Sequence, residues 1–144
     1  RGSLMSTLLS AITASASGLD AQRARMEVAV SNLANAESTR TANGEPYRRR
    51  EIVLEATSED GRGASSGPVA GVRVAGVFED RAEFRRRYEP SHPDADADGF
   101  VAMPNVDVPE EMVDMLGAAR AYQANLTAIS LIRDTISKAL ELAK

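Results

Sequence analysis

The chain has no cysteine, no tryptophan and one histidine in 144 residues. Without cysteine there are no disulfides, no thiolate nucleophile and no thiolate-bound zinc. A single histidine, His92, excludes multi-histidine metal sites. Aromatic residues make up 4% of the chain while hydrophobic residues make up 43%. The apolar content is therefore aliphatic, which favours helix packing over an aromatic-lined pocket. Positive charge is not in excess: Lys and Arg total 17 against 21 Asp and Glu, a net charge of −4. That balance argues against a protein built to coat nucleic acid or anionic lipid. No apolar run reaches the 18 residues needed for a membrane-spanning helix, so no membrane insertion is expected. A cleaved signal peptide is not expected either, because Ser10, Thr13 and Ser15 interrupt the apolar stretch after Arg1. Residues 1–4, before Met5, read as an expression remnant or a misplaced start.

What is present divides into three parts. In residues 5–36, Met5, Ile12, Leu19, Met26 and Leu33 recur every seven residues, and Leu9, Ala16 and Val30 form a second row broken at Arg23. This is an apolar seam of helical period with near-heptad spacing. Gly18 lies within it at a cost of about 1 kcal/mol relative to Ala, and Asn35 marks a helix end.

Residues 107–144 read as a second helix. Asp107 and Glu110 have capping-box spacing, Pro109 lies in the first turn, and Glu110 and Glu111 suit the positive pole of the helix dipole. The seam then runs Met112, Met115, Ala119, Tyr122, Leu126, Ile129, Arg133, Ile136, Leu140, Ala143, with only Arg133 out of character. Five heptads of alternating three- and four-residue steps predict a coiled coil about 55 Å long. That is longer than any core this chain could wrap around it.

Between them, residues 37–106 carry most of the turn punctuation and read as a small β-rich module. Tyr47–Ala56 and Val69–Phe78 are expected strands, with a loop over Arg62–Pro68. The expected fold is mainly α with a small β module, its long terminal helices packing as a coiled coil. Two long amphipathic helices at the two chain ends can pair with each other and leave apolar surface for further copies. Head-to-tail contacts of that kind make open helical assemblies.

Chemical sites are few. Asp94-Ala95-Asp96-Ala97-Asp98-Gly99 matches the start of a calcium loop. Its twelfth place is Asn105, where a bidentate carboxylate is required, and its ninth is Ala102. An acidic turn is the simpler reading. Arg48-Arg49-Arg50 and Arg85-Arg86-Arg87, beside Tyr47 and Tyr88, are basic triplets. Consecutive strand residues point to opposite faces, so neither triplet makes one basic stripe. They read as solvated faces meeting acids of neighbouring copies, such as Asp94 to Asp98. His92 with Asp94 or Asp96 could exchange protons, but no nucleophile, phosphate loop or nucleophile elbow accompanies them. An enzyme, a cofactor and a small-molecule substrate are therefore not expected. The polar residues Asn32, Asn35, Gln123 and Asn125 beside the apolar seams read equally well as helix surface or as register control.

Those last residues carry a resemblance. Ser31-Asn32-Leu33-Ala34-Asn35-Ala36 resembles the N-terminal signature of the bacterial flagellar rod and hook proteins. Glu111-Met112-Val113-Asp114-Met115 and Arg120-Ala121-Tyr122-Gln123-Ala124-Asn125 resemble their C-terminal signature. Gly44 to Arg48, Tyr88 to Ala95 and Gly99 to Asp107 are similar to the C-type proximal-rod members. The resemblance spans nearly all of Met5 to Lys144 and is weakest over Thr57 to Gly67. It implies a structural subunit of the flagellar basal-body rod, polymerising through its terminal helices around an export channel in the periplasmic space. Its partners would be further copies, neighbouring rod proteins and the type III export apparatus, with no cleaved signal. The residues implicated are Asn32, Leu33, Asn35, Asn105, Asp107, Glu111, Arg120, Tyr122 and Asn125. The self-assembly seam is expected at Ile12, Leu19, Met26, Leu33, Met112, Met115, Tyr122, Leu126, Ile129, Ile136 and Leu140. Two other readings stay open at this point: a coiled-coil adaptor of fixed size and a calcium-regulated binding module.

Overall fold

A computed structural model describes residues 2–58 and 69–142. Helix α1 spans Gly2–Ala34 and helix α2 spans Val108–Glu141. Four strands lie between them: β1 (Arg50–Ser58), β2 (Val69–Glu79), β3 (Arg85–Tyr88) and β4 (Phe100–Met103). The expected loop at 62–68 falls outside the described residues.

The two helices pack antiparallel. Asn32 bonds to Glu111 near one end, and Gly18 abuts Asn125 farther along, so equal steps along each helix separate the two contacts. The start of α2 follows the sequence closely. Asp107 Oδ1 accepts the Glu110 backbone N–H at 3.0 Å, satisfying one of the donors a helix N-terminus leaves free.

The contact rows differ from the expected coiled-coil seam. The rows pressed together are Gly18 and Asn32 on α1 and Glu111, Ala118 and Asn125 on α2, flanked by the buried Ala21 and Ala29. Each lies one residue before the apolar heptad row read from the sequence. The reason is size. Glycine and alanine let two backbones approach closely, and the larger Leu, Met and Ile side chains then splay along the flanks. Ile12, Leu19, Met26, Leu33, Met115, Tyr122, Ile129 and Ile136 are half-buried there. Met112, Leu126 and Leu140 are exposed at 49%, 40% and 55%.

Gly18 has its explanation in this packing. A Cβ at that position would stand 2.9 Å from the Asn125 amide nitrogen. The helix propensity lost at Gly18 is the condition for close approach.

The middle is not one sheet but two antiparallel hairpins, β1–β2 and β3–β4. β1 starts at Arg50, later than expected, because the backbone before it is already committed. Tyr47 N–H donates to Ser38 O, and Arg49 N–H donates to the Asn105 side chain. A lone two-stranded ribbon is marginal in water, so each hairpin leans on other elements. β2 docks on α1, where Ser17 Oγ accepts the Val72 N–H at 3.0 Å and donates its own O–H to Ala14 O at 2.7 Å. Gly71 permits this, since a Cβ there would meet Ser17 Oγ at 2.5 Å. β4 alternates inward Val101 and Met103, both buried, with outward Ala102. Beside them Val106, Ala36 and Tyr47 form a small core.

Gly18→Leu is expected to lower unfolding stability by about 1–3 kcal/mol, the usual cost of overpacking. Adding Asn125→Ala should recover much of that loss. A urea-denaturation double-mutant cycle measures the coupling, and additive effects would show that the two positions do not share a contact.

Candidate functional site

Two of the most deeply buried side chains, at the junction of helices and hairpins, are polar. Asn32 is 1% exposed and Glu111 2%. Asn32 uses its amide as a piece of β-ladder. Its Nδ2 donates to Arg50 O at 2.9 Å, and its Oδ1 accepts the Arg50 N–H at 2.9 Å. The same Oδ1 accepts the Tyr47 hydroxyl at 3.0 Å, and Nδ2 also donates to Glu111 Oε2 at 3.0 Å. Both amide hydrogens and both oxygen lone pairs are used. The second Glu111 oxygen, Oε1, takes Arg49 Nε. Burial acts to lower the Arg49 pKa, but the hydrogen bond and charge of Glu111, then of Glu51, outweigh it and leave the pKa raised. Arg49 therefore stays a cation while buried against its partner.

Asn105 completes the knot. It accepts the Arg49 N–H at 2.8 Å and donates to Asp80 O at 3.1 Å, tying the approach to α2 to the end of β2. Five chain segments thus meet through matched donors and acceptors. Among the described residues, no buried side-chain polar atom lacks a partner.

The other residues singled out from the sequence are spread out. Asn35 closes the end of α1 by donating to Ser31 O at 2.9 Å and accepting from Ser38 Oγ at 3.2 Å. Asn125 donates to Ala121 O at 3.1 Å and faces Gly18. Arg120 is exposed. The sequence passed over Tyr47 and Arg49, which are central to the knot. Arg49 sits inside a basic triplet, and only its partner in space separates it from its neighbours.

Within the chain the arginines of both triplets already have partners. Arg48 lies over the Phe84 ring at 4.2 Å, and Arg50 over Tyr47 at 5.6 Å. Arg86 pairs with Asp96 at 2.6 Å, Arg87 with Glu37 at 2.9 Å, and Arg40 with Asp94 at 2.8 Å. The β3–β4 turn brings Asp96 back onto Arg86 of β3, while the segment after α1 supplies Glu37 to Arg87 and Arg40 to Asp94.

The calcium-like stretch is such a turn. Asp94 takes the Thr39 hydroxyl at 2.8 Å as well as Arg40. Asp96 Oδ1 accepts the backbone N–H of Phe100 at 2.9 Å and of Asp98 at 3.0 Å. His92 Nδ1 accepts the Asp94 N–H at 3.0 Å. Gly99 takes φ +81°, which favours glycine, and lets the chain turn beneath Tyr88. The carboxylates diverge to separate protein partners, and no group of three or more potential metal ligands occurs among the described residues.

Comparisons with known proteins agree on one relationship. Residues 97–142 match a family model described as the flagellar basal body rod FlgEFG protein C-terminal. The chain is 42% identical to the flagellar basal-body rod protein FlgC of Bacillus subtilis, covering 96% of this chain and 99% of that one. It is 41% identical to that of Salmonella typhimurium, covering 95% and 98%. It is 38% identical to that of Borreliella burgdorferi, covering 94% and 97%.

Glu111→Ala strands one Asn32 amide hydrogen and leaves Arg49 only its more exposed partners, Glu51 and Asp114, so a stability loss of about 1–3 kcal/mol is expected. Glu111→Asp, which keeps the charge on a shorter arm, should cost less. Denaturant midpoints decide this, and a near-neutral Glu111→Ala would show the knot to be dispensable.

Acid should reach the Asp96 turn only at low pH. The Phe100 backbone N–H, then Arg86 and the Asp98 N–H, hold the Asp96 pKa below its ordinary value of 3.8. Its contribution is therefore complete above that value and lost as pH falls through the lower native value. Amide NMR shifts of Asp98 and Phe100 should move below about pH 4, and Asp96→Asn should abolish that pH dependence.

Proposed function

The chain belongs to the family of flagellar basal-body rod proteins FlgC and is a structural subunit, not an enzyme; from that premise we propose that it polymerises through its two terminal helices. One observation carries the reading. Met112, Leu126 and Leu140 recur at multiples of seven on α2, yet the paired helix α1 leaves all three exposed. Large apolar side chains in register along a helix of 34 residues imply a second packing partner along that helix. Further copies and neighbouring rod proteins supply it.

The assembly is part of the proximal rod, lying in the periplasmic space around the export channel. The chain reaches it through the type III export apparatus without a cleaved signal. Met5 to Leu19 carries no charged residue, which suits a leading segment that passes the channel before it packs. Torque then passes between subunits through interdigitated helices. Sliding by one turn would break every contact in the row together, so the array resists shear. The hairpins thicken the shaft, and the Asn32–Glu111–Arg49 knot makes them move with the helices.

Leu126→Asp places a charge on this row while leaving the intramolecular contact of Asn125 with Gly18 untouched. In a strain lacking its own copy, the variant should be made and exported, yet fail to enter the rod, so cells lack filaments. Lys138→Asp, on the exposed side of α2, should assemble far better. Normal swimming by the Leu126→Asp strain would sink the polymerising-helix reading.

A further inference from the structure

The far end of β2 has an open outer edge. Hydrogen bonds fix which of its backbone groups face outward. Asp80 N–H donates to Arg49 O at 2.8 Å, so Asp80 faces β1, and by alternation Glu79 and Val77 turn their N–H and C=O away from it. Val72, beyond the bulge, shows the same kind of outward group, and there Ser17 takes the N–H. At Val77 and Glu79, among the described residues, no hydrogen bond reaches the outward groups. Next to them lies a cleft of about 560 Å³ lined by Arg48, Val77, Phe78, Glu79 and Arg81. Val77 and Phe78 are exposed at 48% and 57%. We propose that this cleft takes an extended acidic segment of a different protein, added to β2 as a further strand. Its carboxylates meet Arg48 and Arg81, and an apolar side chain between them covers Val77 and Phe78. Backbone bonds to the edge supply affinity, and the side chains choose the sequence.

Charge selects the occupant. Elsewhere in the hairpins, Arg73, Arg86 and Arg87 hold carboxylates at 2.9, 2.6 and 2.9 Å. The Arg81 side chain is exposed and has no carboxylate partner among the described residues. Arg48 has only Glu45, at 4.0 Å. It is held in place instead by the Phe84 ring and by Ala82 O at 3.4 Å. Glu79 is the single acid among the lining residues, and Arg50 stands opposite it in the ladder. The cleft therefore keeps a positive excess beside exposed apolar surface. A second copy is the poorer fit. The acids in and beside this chain's strands, Glu37, Glu51, Glu55 and Asp96, already hold its own arginines. The occupant is also short. The bulge interrupts β2 next to Gly76, and the ladder ends at Asp80, whose C=O goes to Asn105.

The test is an NMR titration of isotope-labelled full-length chain with two capped five-residue peptides. One alternates glutamate with valine, the other lysine with valine. The glutamate peptide should shift the amides of Val77, Glu79 and Arg81, and the lysine peptide should leave them in place. Arg81 is exposed, so Arg81→Glu keeps the fold, and it should weaken glutamate-peptide binding about fivefold or more. Added salt should weaken binding to the unaltered chain. The proposal is overturned if the glutamate peptide leaves the three amides unmoved, or if the lysine peptide moves them equally. Unchanged binding by the Arg81→Glu chain would overturn it as well. Shifts at the same amides on concentrating the chain alone, without peptide, would overturn the foreign partner in favour of a second copy.

Discussion

The bond between the Asn32 amide and the Arg50 backbone is the constraint on which the rest depends. It joins a helix to the first residue of a strand as though the side chain were a strand itself. A hydrophobic contact at that place would tolerate sliding. A donor and an acceptor matched to the N–H and C=O of one residue do not, because a shift by one position exchanges faces along the whole strand. Glu111 then fixes the second helix to the same asparagine, and Arg49 neutralises it. A buried ion pair contributes little net stability once desolvation is counted. Its value here is the register it imposes: α1, α2 and the start of β1 have one mutual arrangement that satisfies every donor.

From that junction the helices run out together through small residues. Close approach at Gly18, Ala21, Ala29 and Ala118 spends little of the large aliphatic surface on the intramolecular contact. The rest is left outward, on Met5, Leu9, Met112, Val113, Leu116, Leu126 and Leu140. Under the proposed assembly, the same small residues that draw the helix pair together leave this surface for neighbouring subunits.

The hairpins follow a different economy. Neither is large enough to fold alone, and each is secured by specific polar contacts: Ser17 under β2, and the Asp94 and Asp96 turn under β3 and β4. Several of their arginines pair with acids of the same chain, among them Arg73 with Glu55, Arg86 with Asp96 and Arg87 with Glu37.

Much was legible from the residues in order. The two helices, the Asp107 cap, the β character of the middle and the relationship to rod proteins all follow from local pattern, because period, capping and turn chemistry act over a few residues. The acidic turn was legible too, since Asn105 and Ala102 stand where calcium would need ligands. What the order could not decide is which of two adjacent rows, one residue apart, faces the partner helix. Apolar periodicity marks a broad stripe, and both rows lie on it. Backbone approach distance chooses between them, and that depends on Gly18 meeting Asn125 from the other end of the chain. The same holds for Arg49. Within its triplet it is one arginine of three, and its buried partner Glu111, 62 positions away in sequence, sets it apart from its neighbours.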